Sequence, residues 1–397
     1  MTFPSIADTL RCLASTLALA AFTLANAAHG ASFTPSVALD PTVNEQVVML
    51  PVSQNGQSFQ FQTTLFKPPG DGPFPLLVMN HGKDRGGSHQ QARDRFLAMS
   101  REFVKRGYAV AVPMRKGFAG STGSYSDYGC NMKDNGLMQA DEIEAALNTL
   151  VTLPWVDRDH MLVAGQSYGG LATMAFGTRP YPGVRGLLNF AGGLRIDGSN
   201  CDWKASLVTA FASYGAKTSL PSLWFYGQND SFFDPALAQR LQLAYQSAGG
   251  ASQLIAYGAF KTDAHGMIGS RDGVSVWLPE VERFLNSVGM PSEVTVAIAD
   301  TPRPAATNFA ALDNVGAVPF VADKGRDGYR DYLAKSAPRA FAISGSGAWS
   351  WAEEGDDPAS RAVAACQKNC KVPCQLYSVD NDVVWSEAST TAPVSVN

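Results

Sequence analysis

Apolar and polar positions fall into two rhythms along the chain. Residues 59–66 alternate with a period of two, as an edge strand with one wet face does. Six solid apolar runs follow, at 75–80, 108–114, 161–165, 184–190, 222–226 and 253–257. Such runs suit strands covered on both faces, which is the habit of parallel sheets. Between them, apolar residues recur with a helical period at 91–106, 137–150, 169–177, 203–212, 235–248 and 274–288. Strand–helix alternation with short connections predicts an α/β fold with a mostly parallel sheet covered by helices on both faces.

That rhythm stops near Val288. Residues 291–320 are rich in Pro, Ala, Thr and Asn and read as a linker. Residues 321–397 carry strand-like stretches at 339–343 and 375–379 and a helix from about Pro358, a small α+β C-terminal domain. At the other end, Arg11 precedes an apolar run from Cys12 to Ala25, and Ala25-Asn26-Ala27 fits a small-x-small cleavage site. Residues 1–27 are therefore expected to be an export signal, residues 28–290 the main domain, and the mature protein secreted or periplasmic. The run is short for a membrane span.

Composition narrows the partners. The 397 residues carry a net charge of −4 with no strong Lys/Arg cluster, which argues against nucleic acid. Five cysteines lie beyond the signal, and in an oxidising compartment they are disulfide candidates rather than metal ligands. The expected pairs are Cys130–Cys201 and Cys366–Cys374, with Cys370 left over; other pairings stay open. No metal is expected, since no His lies near Cys366–Cys374. The acidic loop Asp380-Asn381-Asp382 reads as solvated rather than calcium-binding.

The chemistry centres on Gly165-Gln166-Ser167-Tyr168-Gly169-Gly170, a G-x-S-x-G between a buried strand and a helical run. A tight strand-to-helix turn needs small residues around the serine. It lifts the hydroxyl above the sheet and aims the helix N-terminus at a developing oxyanion. Ser167 is thus the expected nucleophile, and a serine hydroxyl needs a base. Of the five histidines, only His265 follows the last sheet strand, where the order Ser…Asp…His places the base. Three acids compete to orient it: Asp230 first, after the strand at 222–226, then Asp234, which reads better as a helix cap, and Asp263. The oxyanion donors are expected to be the N–H of Tyr168 and that of Lys83, with Gly82 the alternative to Lys83. His81 supports that loop. Tyr125, Tyr128, Trp203 and Phe232 are candidate pocket walls.

Taken together, His81-Gly82, the 115–121 segment RKGFAGS, the serine motif, Gly227-Gln228-Asn229-Asp230 and Asp263-Ala264-His265-Gly266 resemble the α/β-hydrolase superfamily. More narrowly they resemble its dienelactone hydrolase and prolyl-oligopeptidase-like branches, over about residues 47–288. The resemblance implies an eight-stranded, mostly parallel sheet, a Ser167–His265–Asp230 triad and no cofactor. A serine stands where dienelactone hydrolases proper carry cysteine, so an ester of another kind, small or polymeric, is the expected substrate. Two alternatives stay open: a serine peptidase of the oligopeptidase or acyl-peptide hydrolase type, and a non-catalytic binding protein acting through the C-terminal domain.

Overall fold

In the computed structural model the described residues are 39–387, except 85, 197–199, 300–302, 336, 354–356 and 369. The export signal expected at 1–27 lies outside them.

The main sheet contains β1 (Gln46–Gln54), β2 (Gln57–Phe66), β3 (Phe74–Asn80), β4 (Ala109–Pro113), β5 (Val156–Gln166), β6 (Val184–Phe190), β7 (Ser222–Gly227) and β8 (Ser252–Tyr257). Their order is β1-β2-β4-β3-β5-β6-β7-β8. The β1–β2 and β2–β4 pairs are antiparallel and every other pair is parallel. The solid apolar runs explain this arrangement. In β3, Leu76 and Val78 face one core while Leu77 and Met79 face the other, so the strand has no wet side.

Helices α2 (Met132–Leu150), α3 (Tyr168–Phe176), α4 (Trp203–Gly215) and α5 (Pro235–Ser247) cover the first face, through side chains such as Ile143, Leu171, Phe211 and Leu241. Helices α1 (Leu97–Lys105) and α6 (Val274–Ser287) cover the second with Phe103, Trp277 and Leu285. The helix expected from residue 91 begins six residues later. Phe96 adopts φ 44°, and Arg93 and Arg95 reach to the buried Glu45 before α1, ion pairs that hold 91–96 as loop.

The C-terminal region builds a second, antiparallel sheet in the order β10-β9-β11-β12, from β9 (Arg339–Ser344), β10 (Trp349–Glu353), β11 (Cys374–Val379) and β12 (Asp382–Val383). Two helices pack on it, α7 (Asp323–Leu333) and α8 (Pro358–Gln367). The stretch expected to be a weakly structured linker is pinned to the main domain. The backbone N–H groups of Thr295 and Val296 donate to the Lys105 carbonyl at 2.9 Å, and the Tyr108 hydroxyl donates to Pro291 O at 2.7 Å. Farther along, Lys261 Nζ donates to Ala337 O, and Arg95 lies 3.6 Å from Asp357. Both expected disulfides, Cys130–Cys201 and Cys366–Cys374, are present, and Cys370 is a free thiol.

Candidate active site

Ser167 sits at the β5–α3 turn with φ 56° and ψ −122°, a backbone region that L-residues rarely occupy. The surroundings over-determine this conformation. The Ser167 N–H donates to Phe190 O at 3.0 Å, and Ser167 O accepts from Leu171 N at 3.1 Å and Gly193 N at 3.0 Å. Glycine at 169 is a packing requirement, because a Cβ there would lie 2.0 Å from Asn80 O and 2.6 Å from His81 O. The start of α3 thus rests directly on the end of β3. Gly82 is equally constrained, since a Cβ there would stand 2.9 Å from Gln166 Oε1 and 3.2 Å from Ser167 Cβ. The glycines of two separate motifs bring the β3 loop against the serine turn.

His265 reaches the same place from the loop after β8. Its Nδ1 lies 3.0 Å from Asp230 Oδ2 and 3.2 Å from Oδ1. A carboxylate can only accept, so Nδ1 carries the proton and Nε2 is left as the acceptor. The Asp230 side chain is fully buried, and its Oδ1 accepts from Phe232 N at 2.8 Å and Phe233 N at 2.9 Å. The imidazole leans on Phe232 at 4.5 Å between ring centroids and on Phe233 at 5.6 Å. Gln166, the variable residue before the serine, donates from Nε2 to the His265 carbonyl at 3.1 Å and ties base loop to serine turn. Among the described residues no hydrogen bond joins Ser167 Oγ to the imidazole. Such contacts commonly tighten only in the complex with substrate.

The rival acids have other work. Asp234 caps α5 by accepting from Leu237 N at 2.8 Å and pairs with Lys204 at 2.7 Å. Asp263 accepts from the His265 backbone N–H at 2.9 Å, and from Ser231 N at 3.1 Å and Oγ at 2.6 Å. It holds the loop that carries His265 and makes no hydrogen bond to the ring. Burial opposes its ionisation, but the hydrogen bonds from Ser231 and from the His265 N–H hold its carboxyl below the ordinary value.

His81 is fully buried at the end of β3, beneath the Gly82–Lys83 loop. Its Nε2 accepts from Arg115 N at 2.9 Å, so the proton resides on Nδ1, which donates to Gly82 O at 2.6 Å. Burial, with Arg115 nearby, pushes its pKa well below the usual histidine value. His81 is thus a neutral strut. Among the described residues, neither the Tyr168 N–H nor the Lys83 N–H donates to a protein acceptor.

Ser167, His265, Gly82, Lys83 and Phe232 line one cleft of 710 Å³. Of the four expected pocket walls only Phe232 lines it. Tyr125 packs between Phe118 and Tyr168, Trp203 packs on Phe233, and Tyr128 is exposed away from the cleft. Tyr125 and Trp203 are thus engaged by neighbouring rings rather than by the cleft. Arg93 and Arg95 from the loop before α1, and Arg361 from α8 of the C-terminal region, also line the cleft. Gln166 was readable from its place inside the serine motif. Arg361 has no local signal, because only the tertiary packing of α8 brings it to the cleft.

The strand order, the covered parallel sheet and a serine at the β5–α3 turn are those of the α/β-hydrolase fold. Residues 96–182 match the model of the prolyl oligopeptidase family, a span that runs from the start of α1 past α3 and includes Ser167. None of the curated proteins matches the sequence. Among solved structures the chain is similar to an esterase from Pyrococcus furiosus, at 14% identity and a TM-score of 0.45, over 64% of this chain and 94% of that one. It is similar to the Pyrococcus horikoshii acylaminoacyl peptidase at 15% identity and a TM-score of 0.46, over 64% of this chain and 43% of that one. For Porphyromonas gingivalis dipeptidyl peptidase 4 the values are 17%, 0.46, 62% and 35%. The chain therefore spans less than half the length of these two peptidases.

Proposed function

We propose that this chain is an exported serine hydrolase that cleaves carboxylic esters through an acyl-enzyme. The observation that carries the reading is the convergence, on one cleft, of a strained serine and a histidine whose Nδ1 is held by a buried carboxylate. Ser167 Oγ attacks the acyl carbon while His265 Nε2 takes its proton. The Tyr168 and Lys83 N–H groups stabilise the oxyanion. His265 then gives the proton to the departing alcohol and activates the water that releases the acid. Asp230 keeps the ring in the productive tautomer and stabilises the imidazolium. The two disulfides support an oxidising compartment.

An ester asks least of such a site, since a triad and two oxyanion donors suffice for an alcohol leaving group. A second reading, a peptidase, draws on the family match over residues 96–182 and on the charged wall built from Arg93, Arg95 and Arg361. Fluorophosphonate labelling followed by mass spectrometry tests the common core: an adduct on Ser167, abolished in Ser167→Ala, is expected. Labelling elsewhere, or none, sinks the proposal. Turnover of p-nitrophenyl esters against aminoacyl anilides separates the two readings, and anilide turnover with inert esters would reverse the order.

A further inference from the structure

The hydrolase reading makes no use of three sulfurs in the C-terminal region. Cys366 ends α8, Cys374 begins β11, and their disulfide staples helix to sheet. Cys370 lies in the turn between them. Its Sγ is 3.6 Å from Cys374 Sγ, and all three sulfurs fall within 4.8 Å of one another. Cys366 and Cys374 are buried, while Cys370 is half-exposed and within reach of solvent base.

A thiol 3.6 Å from a disulfide sulfur is close enough to enter thiol–disulfide exchange once the turn swings it into line with the S–S bond, because the attacking thiolate must reach one sulfur as the other departs. We propose that these three cysteines form an internal thiol–disulfide exchange site. Cys370, deprotonated by solvent base, attacks Cys374 Sγ. The Cys370–Cys374 bond forms, the Cys366–Cys374 bond breaks, and Cys366 leaves as a thiolate that takes up the proton. One disulfide and one thiol stand on each side of the step, so no oxidant or reductant is consumed.

The exchange has a structural consequence. The new bond closes within the turn, and α8 loses its covalent link to β11. The first turn of α8 is the part that borders the cleft, through Asp357 beside Arg95 and through Arg361. The site thus sits at the far end of a helix by which the C-terminal sheet region lines the cleft.

The sequence makes the test clean. Lys368 and Lys371 place each of the three cysteines on its own tryptic peptide. The full chain is incubated at pH 6 and at pH 9, quenched in acid, alkylated with N-ethylmaleimide and mapped without reduction. Exchange predicts a Cys370–Cys374 pair and label on Cys366 besides Cys370, arising roughly tenfold faster per pH unit below the thiol pKa. A Cys366→Ser variant refolded in a glutathione buffer keeps the reading falsifiable if the rearranged pair is sparse in the wild type. That variant is expected to form Cys370–Cys374 and leave neither of them free. Among the three C-terminal cysteines, label on Cys370 alone at pH 9, together with Cys370 and Cys374 both free in Cys366→Ser, overturns the proposal.

Discussion

Asp230→Asn tests the central pair most sharply, because the structure dictates how the amide must sit. Asp230 Oδ1 accepts two backbone N–H groups, from Phe232 at 2.8 Å and Phe233 at 2.9 Å. In the variant that place must be filled by the amide oxygen, since an NH₂ facing two donors would be expelled. The amide nitrogen then occupies the position of Oδ2, 3.0 Å from His265 Nδ1, and donates to it. Nδ1 becomes the acceptor, the ring proton moves to Nε2, and the nitrogen that should take the Ser167 proton no longer can. Inverting the tautomer and losing the charge behind the imidazolium costs about 10³–10⁴ in kcat/KM, or about 4–5.5 kcal/mol at about 1.4 kcal/mol per decade. The fold should hold, because the substitution keeps shape and both backbone bonds, and a loss of about 1 kcal/mol is expected. Initial rates with a p-nitrophenyl ester and urea unfolding measure the two effects separately. Asp263→Asn is the internal control: it supports only the backbone of the base loop and should cost less than about tenfold. A loss under tenfold in Asp230→Asn, or a larger loss in Asp263→Asn, would refute the assignment of the acid.

Three further outcomes follow from other parts of the site. Gly82→Ala presses a Cβ to 3.2 Å from Ser167 Cβ, so the β3 loop must shift by tenths of an ångström; kcat should fall about 10–100-fold with a stability loss of about 1–2 kcal/mol, read from rates against Tm. Asp234→Ala removes the α5 cap at a cost of about 1 kcal/mol, while kcat/KM should stay within about threefold. Glu142 is buried beside Arg115; burial pushes its pKa up to about 7 against the pull of the Lys116 N–H and the Arg115 charge. Its folded pKa is raised, so its contribution is whole below the unfolded value of 4.5 and is lost as pH rises through about 7. Relative to Glu142→Gln, the wild type should therefore lose about 3 kcal/mol between pH 4.5 and pH 8 in urea unfolding, and parallel pH profiles would refute this.

What could be read from the sequence follows from how local each signal is. The strands buried on both faces announce themselves as apolar runs, and β3 to β8 were legible for that reason. β1 was not: residues 46–54 are interrupted by Pro51 and mostly wet, and the strand exists because β2 pairs with it along its whole length. α7 reads poorly because Gly325 and Gly328 break its helical pattern, yet those glycines are required. A Cβ on Gly328 would lie 2.2 Å from the Trp349 ring, which lies against that helix. The helix is thus fitted to β10, which is itself held by its hairpin pairing with β9. In the site, serine, base and acid are each tied to the end of a recognisable strand, whereas the aromatic candidates were not separable from core residues by type.

The same distinction bears on how the cleft is built. A pocket formed wholly by loops at the strand ends would leave the C-terminal region free to vary without touching catalysis. Here Arg361 enters the wall from that region, and Asp357, the cap of the same helix, faces Arg95 of the main domain across 3.6 Å. On the main-domain side, Arg95 is anchored on Glu45, just ahead of β1, and Asp84 in the oxyanion loop feels the charge of Arg361 and Lys83 against the burial that raises its pKa. The chain of charges therefore runs from the edge of the main sheet through the cleft wall into α8. Both regions thus line the cleft. On the proposed function, three residues at or beyond strand ends would carry the chemistry, and the wall of the cleft before them is built partly by a helix more than ninety residues further along the chain than His265.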